Sequence, residues 1–247
     1  MEEQTMHYGQ QNFTLPHDVV PLPSKGIFYK NKKKSIKVGY LTANDENILM
    51  GGGEDMIFNL LRNKIYEPDL KIEDMVDSDI EAILIFLRNT SFGPELTLNL
   101  TDPKTNKSFQ ANVMLDSLPV IDGQIPDSEG SYTVILPKTG STVKIRPLTY
   151  GEITEINNYE KSYPVGRTAP KVTWRLNKQI TELNGKNDRG EISKFIEELP
   201  IMDSKYIRKF LEENVPRLDL TRTVTAPSGE KLIVNVGFGV DFFRPFF

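Results

Sequence analysis

Apolar positions along this chain switch between two periods, and the switching order occurs twice. From Ile27 to Leu41 the segments IFYK and KSIKVGYL flank a basic turn and read as two β-rich stretches, which predicts a hairpin. From Tyr132 to Leu148, YTVILP and STVKIRPL do the same around a Gly turn. After each hairpin a threonine stands where a helix should begin, with an acid three residues on: Thr42 with Asp45, and Thr149 with Glu152. A hydroxyl there accepts a first-turn N–H, and the carboxylate suits the positive end of the helix dipole. The first helix is stopped by Gly51-Gly52-Gly53, and another is predicted over about 54–66 before Pro68. In the second half the helices run to about Tyr163 and then over about 170–184 before Gly185.

Asp77-Ser78 precedes a helix that carries Ile80, Ile83, Leu84 and Leu87 on one face. Asp203-Ser204 precedes another, with Ile207, Phe210 and Leu211. A strand pair follows each, at 95–115 and 220–238. The hairpins are offset by 107 residues, the turn prolines Pro103 and Pro227 by 124, and the pairs Asn112-Val113 and Asn235-Val236 by 123. Extra material in the second half, including the helix DRGEISKFIEELP at 188–200, absorbs the growth in offset. The shared order predicts an α+β fold of two tandem related units, 27–118 and 131–238, each a β-hairpin, helices and a second β-hairpin. Residues 1–26, with Pro16, Pro21 and Pro23 and no periodicity, read as an extended N-terminal arm. Residues 119–130, PVIDGQIPDSEG, read as a linker, and 239–247 as a C-terminal aromatic tail. Duplication by itself says nothing about chemistry.

Composition narrows the function classes. With 247 residues, 38% hydrophobic and 26% charged, the chain can bury a proper core. It has no cysteine, which removes disulfides, thiolate nucleophiles and the usual structural zinc sites. A formal charge of −4 and a pI near 5.4 oppose binding to nucleic acid or an anionic membrane, so a protein partner fits better. The start is polar and acidic, and no apolar run approaches the ~20 residues that span a bilayer; the expectation is a soluble chain made in the cytoplasm.

Catalytic constellations are scarce. Both histidines, His7 and His17, lie in the arm, which lacks the rigid shell that fixes a catalytic or metal-binding imidazole. A glycosidase needs only two well-placed carboxylates. However, Glu54-Asp55 and Asp77/Asp79 fall at helix starts, where they favour the dipole, and Glu197-Glu198 and Glu212-Glu213 fall on exposed faces. Gly51-Gly52-Gly53 precedes a helix as a phosphate loop does, but two acids follow where GK[ST] is needed, so it reads as a helix stop and hinge. The run from Lys30 to Lys34 reads as a solvated turn. No cofactor and no metal is expected.

The end, GVDFFRPFF, is different. Phe242, Phe243, Phe246 and Phe247 can each remove roughly 150–250 Å² from water, so leaving all four exposed invites aggregation. Pro245 keeps this segment a strap, which either folds back over its own repeat or plugs a neighbouring subunit.

Several short motifs span about residues 20–247: Leu22-Pro23-Ser24-Lys25-Gly26 followed by Tyr29, Leu41-Thr42, Leu87-Arg88-Asn89 followed by Ser91-Phe92-Gly93, and Phe242-Phe243-Arg244-Pro245. Through them the chain resembles the baseplate hub and hub-assembly chaperone family of T-even-like contractile-tailed phages. Relatives often carry Cys-Pro-x-Cys-Gly knuckles at hairpin tips; the comparable places here, Asp102 to Asn106 and Ala226 to Gly229, keep the proline without a thiol. The resemblance implies a noncatalytic hub component of the tail baseplate, assembled in the host cytoplasm, with other baseplate and hub proteins as partners and the tape-measure protein as a further candidate. A transient assembly chaperone and a tail-associated peptidoglycan hydrolase are the alternatives. The expected partner-contact residues are Leu22, Pro23, Tyr29, Phe242, Phe243, Arg244, Phe246 and Phe247.

Overall fold

Strand β1 (His17–Pro21) pairs antiparallel with β2 (Ser35–Gly39), Val20 opposite Ile36. The first hairpin therefore begins inside the segment expected as an arm, and 27–31 lies in its long turn and not in a strand. Prolines obscure this strand in the sequence, yet Pro21 sits at its last position on an edge, where a missing N–H costs no ladder bond. The computed structural model describes residues 16–51, 56–238 and 240–243. His7, Gly52, Gly53, Glu54, Asp55, Arg244, Phe246 and Phe247 fall outside these.

Helices α1 (Ala43–Gly51) and α2 (Met56–Lys64), a 3-10 turn at Ile72–Asp74, helix α3 (Asp77–Phe92) and the hairpin β3 (Glu95–Thr101)–β4 (Ser108–Met114) complete the first half. The short β5 (Val120–Ile121) then leads to β6 (Tyr132–Ile135) and β7 (Thr142–Ile145), α4 (Tyr150–Ser162), α5 (Lys171–Gln179) and β8 (Ile180–Leu183). After these come α6 (Arg189–Glu197), α7 (Ile201–Asn214), β9 (Arg217–Leu218), the hairpin β10 (Thr221–Thr225)–β11 (Lys231–Asn235) and a 3-10 turn at Val240–Phe243. The class is α+β, with seven helices and small antiparallel sheets among the described residues.

The two helix starts after the first hairpins use related chemistry. Thr149 caps α4 in a full capping box with Glu152, whose carboxylate also takes a bidentate pair of hydrogen bonds from Arg146. At α1 the Asp45 carboxylate accepts from both the N–H and the hydroxyl of Thr42 and forms a buried ion pair with Lys64. Burial pushes the Asp45 carboxyl up, but Lys64 and Thr42 together hold it below the usual aspartate range.

Two predicted boundaries shift. The helix expected to reach residue 184 ends at Gln179; Ile180 to Leu183 form β8 beside β7 and turn at Asn184-Gly185, both in the left-handed region. Helix α7 begins at Ile201, so Asp203 is its third residue, as Asp79 is the third of α3. Each of these aspartates is fully buried and accepts hydrogen bonds from the turn of the preceding hairpin. Asp79 takes the Ser24 N–H and the hydroxyls of Ser24 and Tyr29, while Asp203 takes the N–H groups of Lys138 and Thr139.

Among the described residues the buried apolar side chains form two clusters, and their border does not follow the chain's midpoint. One joins Val20, Ile36, Leu60, Ile83 and Leu87 to Leu220, Val224, Val236, Phe242 and Phe243 from the far end of the chain. The other is built from Val134, Val143, Ile145, Leu176, Ile180, Ile192, Ile207 and Leu211. The last hairpin thus packs on the first core. At its tip the Asp102 carboxylate accepts from Ser228 N–H (3.0 Å) and Oγ–H (2.8 Å), so the two thiol-free turns singled out in the sequence clasp each other.

The halves also meet at the start of α4. Tyr150 N–H donates to the Met75 carbonyl at 2.7 Å, and Val76 bridges to Thr149. Gly151 permits this approach, because a Cβ there would lie 2.9 Å from the Glu73 carbonyl oxygen. Within residues 119–130, β5 pairs with β9. Gly123 lies so close to Asn214 that a Cβ would come within 1.8 Å of its carbonyl oxygen.

Candidate functional site

A cleft of about 370 Å³ lies between α3 of the first half and α4, α5, α7 and β9 of the second. Helical spacing decides what faces it. On α3, Asp77 and Glu81 are four residues apart and share one face. Asp79, two positions from each, points instead to the buried hairpin turn. On α5, Arg175 and Gln179 repeat the four-residue spacing. Arg208, Leu211 and Glu212 come from α7, with Val215 and Arg217 just beyond it, and Pro147, Leu148 and Ile153 give the cleft an apolar floor.

The electrostatics of this cleft are unbalanced. Asp77 keeps solvent access but is hemmed in by protein, and this burial pushes its carboxyl up against the opposing pull of Arg175. Burial, then the neighbouring Asp77, push Glu81 up to about 7, with Arg217 acting in the other direction. Neither carboxylate makes a hydrogen bond or a close ion pair with the other described residues. Three polar atoms on the lining are buried without a hydrogen-bond partner: Ser78 Oγ, Gln179 Oε1 and Arg217 Nη1. Ser78 and Gln179 are only 8% and 7% exposed, so their unmade bonds lie in a place where they cost stability.

A pH dependence follows for Glu81. Its folded value lies above the ordinary 4.5, so between 4.5 and about 7 the folded chain holds a proton that the unfolded chain has lost. Stability therefore falls as pH rises across that window and stays lowered above it. Glu81→Gln is expected to flatten the dependence and to be more stable than the parent at about pH 8, by about 1–2 kcal/mol, while differing little near pH 4. Urea unfolding at several pH values measures this; equal slopes for the two proteins would show that Glu81 ionises freely.

Of the residues expected to touch partners, the described ones lie away from this cleft. Leu22, Tyr29, Phe242 and Phe243 are buried in the chain's own first core and Pro23 is buried beside Leu22 in the chain, so in this conformation their surface is already taken up. Of the two alternatives for the strap, its described part folds inward, but onto the first half and not onto the second. Phe242 and Phe243 meet edge to face at 4.9 Å, and the Arg88 guanidinium sits 5.7 Å from the Phe242 ring. Arg88 is itself buried and donates to the carbonyls of Gly93 and Glu95, tying the end of α3 to the start of β3. His17 packs edge-on against Tyr66. Lys33, from the basic run, is paired with Glu67 and Asp69. Glu197, Glu198, Glu212 and Glu213 are exposed, and Glu212 lines the cleft.

Among the described residues no group of three or more His, Cys, Asp or Glu is placed to hold a metal ion. No helix there is long and apolar enough to cross a membrane. The class so defined is a mixed α+β protein with a cleft between its two halves that is lined by both acids and arginines. Residues 25–244 match the model of the T4 bacteriophage base plate protein family, and the chain belongs to that family. No curated protein and no solved structure matches it. Family membership places the protein in a phage tail baseplate.

Proposed function

We propose that this chain is a noncatalytic component of the baseplate hub that works through contacts with other baseplate proteins. Membership of the baseplate family over residues 25–244 carries this reading. The surface supports it: Ile201, Met202 and Tyr206 expose apolar area along the start of α7, and Ile125, Val165 and Ile233 do so elsewhere. At the C-terminus, contact falls to Arg244, Phe246 and Phe247, because Phe242 and Phe243 are occupied internally. The tape-measure protein is a candidate partner through the hub, and nucleic acid is not one, given the acidic balance of the chain. Descent from a doubled ancestral unit accounts for the shared element order and for the buried aspartates Asp79 and Asp203, set 124 residues apart at the same helical position.

Mass spectrometry of purified tails tests the role directly. Peptides of this chain in stoichiometric amount are expected; their absence from finished particles, with tail assembly dependent on the protein, would assign it to transient chaperoning. A peptidoglycan hydrolase has one observation in its favour, a carboxyl held near neutrality in a cleft with Glu212 on the other wall. A zymogram with the purified chain is expected to show no clearing. Clearing by the parent and none by Glu81→Gln would replace the contact role with catalysis.

A further inference from the structure

We infer that β11 is a docking edge for a second copy of this chain, the two β11 strands pairing antiparallel about a two-fold axis at Ile233. This partner goes beyond the contacts proposed above. The bonding pattern of the last hairpin decides which groups the edge offers. Val236 N–H donates to the Leu220 carbonyl and Ala226 N–H to the Glu230 carbonyl, so the even-numbered residues from 230 to 236 bond inward, across the hairpin to β10. Lys231, Ile233 and Asn235 therefore turn their N–H and C=O groups outward, where no other described strand pairs with them. The strand holds no proline and no bulge, and Ile233 is 78% exposed. Such a row of unpaired donors and acceptors beside an exposed β-branched side chain is a template for another strand.

The order Lys-Leu-Ile-Val-Asn selects a second copy as the strand that fits. With the axis at Ile233, that residue faces its own equivalent and Lys231 faces Asn235 of the partner subunit, so each outward N–H meets an outward carbonyl. On the other face Leu232 meets Val234 of the partner subunit; both are half-buried, and Val234 already packs on the first core. The two Lys231 ammonium groups stay apart, since four residues of paired strand separate them by about 13 Å. A slip of one residue would set outward groups against inward ones, and a slip of two would set Ile233 against a polar residue. The edges of β1, β3 and β6 are blunted. Pro21 on β1 lacks an N–H, the outward Glu95 carbonyl of β3 accepts from Arg88, and the Ser131 carbonyl just before β6 accepts from Asp127 N–H. One five-residue strand pair covers far less than the ~1,000 Å² of a stable interface, so the pairing is weak in dilute solution and holds where an assembly keeps copies close.

Sedimentation of the full chain from about 1 μM to about 1 mM tests this, with amide hydrogen exchange read by NMR at both ends of that range. A reversible dimer is expected. At the high concentration the N–H groups of Lys231, Ile233 and Asn235 should be protected about ten-fold more than at the low one, while those of Leu232 and Val234, already bonded to β10, change little. Ile233→Lys sets two ammonium groups face to face at the axis and should weaken association about ten-fold or more, whereas Ile233→Val should keep it. Both change an exposed side chain, so both are expected to unfold at the parent's urea midpoint. If Ile233→Lys does not fold, the exchange pattern of the parent decides on its own. A chain that stays monomeric across the range overturns the proposal. So does a dimer that Ile233→Lys leaves intact, or one in which the three outward N–H groups exchange as they do in the monomer. Protection of these groups that arises only in assembled tails would give the edge to another baseplate protein, overturning the two-fold pairing while the baseplate role stands.

Discussion

Asp79→Ala is expected to destabilise the chain by about 3–5 kcal/mol, the size seen when a buried acceptor is taken from several donors at once. Three groups converge on this carboxylate. The Ser24 N–H donates at 2.9 Å, the Ser24 hydroxyl donates to the other oxygen, and the Tyr29 hydroxyl donates at 2.6 Å while accepting from Val76 N–H at 3.1 Å. All sit in the interior, with Ser24 and Asp79 fully inaccessible and Tyr29 5% exposed. Without the carboxylate, the Ser24 N–H and the two hydroxyls are left facing apolar surroundings, and the long turn of the first hairpin loses its tie to α3. Burial pushes the Asp79 carboxyl up and, with the nearby aspartate, pushes the Tyr29 hydroxyl far up, so Tyr29 remains a donor at all ordinary pH. Asp79→Asn keeps one acceptor oxygen and should lose less. Urea unfolding of the three proteins orders them; an Asp79→Ala chain as stable as the parent would mean that the network contributes nothing net. The paired position gives an internal comparison. Among the described residues Asp203 holds two backbone N–H groups and no side-chain donor, so Asp203→Ala should cost less than Asp79→Ala.

This pair also shows how much of the fold can be read from residues. The order of hairpins and helices is legible because period two and period 3.6 leave different marks, and Thr149 with Glu152 announces α4 at the right residue. The correspondence between the two halves is harder to read. Asp77-Ser78 and Asp203-Ser204 look alike, but the residue that matches Asp203 in role is Asp79, because burial and partners, not the dipeptide, define the position. At β8 two local signals compete. Leu176, Ile180 and Leu183 continue a helical stripe, while β-branched Ile180-Thr181 before Asn184-Gly185 spells a hairpin, and pairing with β7 decides for the strand. The cleft is the least legible feature. The spacings Asp77/Glu81 and Arg175/Gln179 are visible in the sequence, but each alone is an ordinary polar helix face. Only the packing of the 72–76 segment against α4 brings them to one place.

Phe243→Ala is expected to lose about 3–5 kcal/mol, the range for emptying a large aromatic site in a packed core. Phe243 is completely buried and Phe242 is 2% exposed, in the cluster that contains Leu87 and Val236. The chain end therefore closes the first core from a distance of more than a hundred residues of sequence, and its loss leaves a cavity that α3 cannot collapse to fill. Phe242→Ala should cost a similar packing amount together with the contact to the Arg88 guanidinium, which is desolvated and so contributes about 1–2 kcal/mol more than a surface pair of this kind. Denaturant unfolding of the isolated chain separates this from a tail that serves a neighbour. An internal seal predicts lower stability and aggregation of Phe243→Ala before any partner is present. A plug for another subunit predicts an isolated chain of unchanged stability that fails to enter tails. Substituting Phe246 and Phe247, which lie past the sealed pair, gives the complementary result: unchanged stability of the isolated chain with reduced incorporation is what a contact role at the very end requires. Stability lost equally at all four phenylalanines would extend the seal to the last residue and leave the tail no surface for a partner.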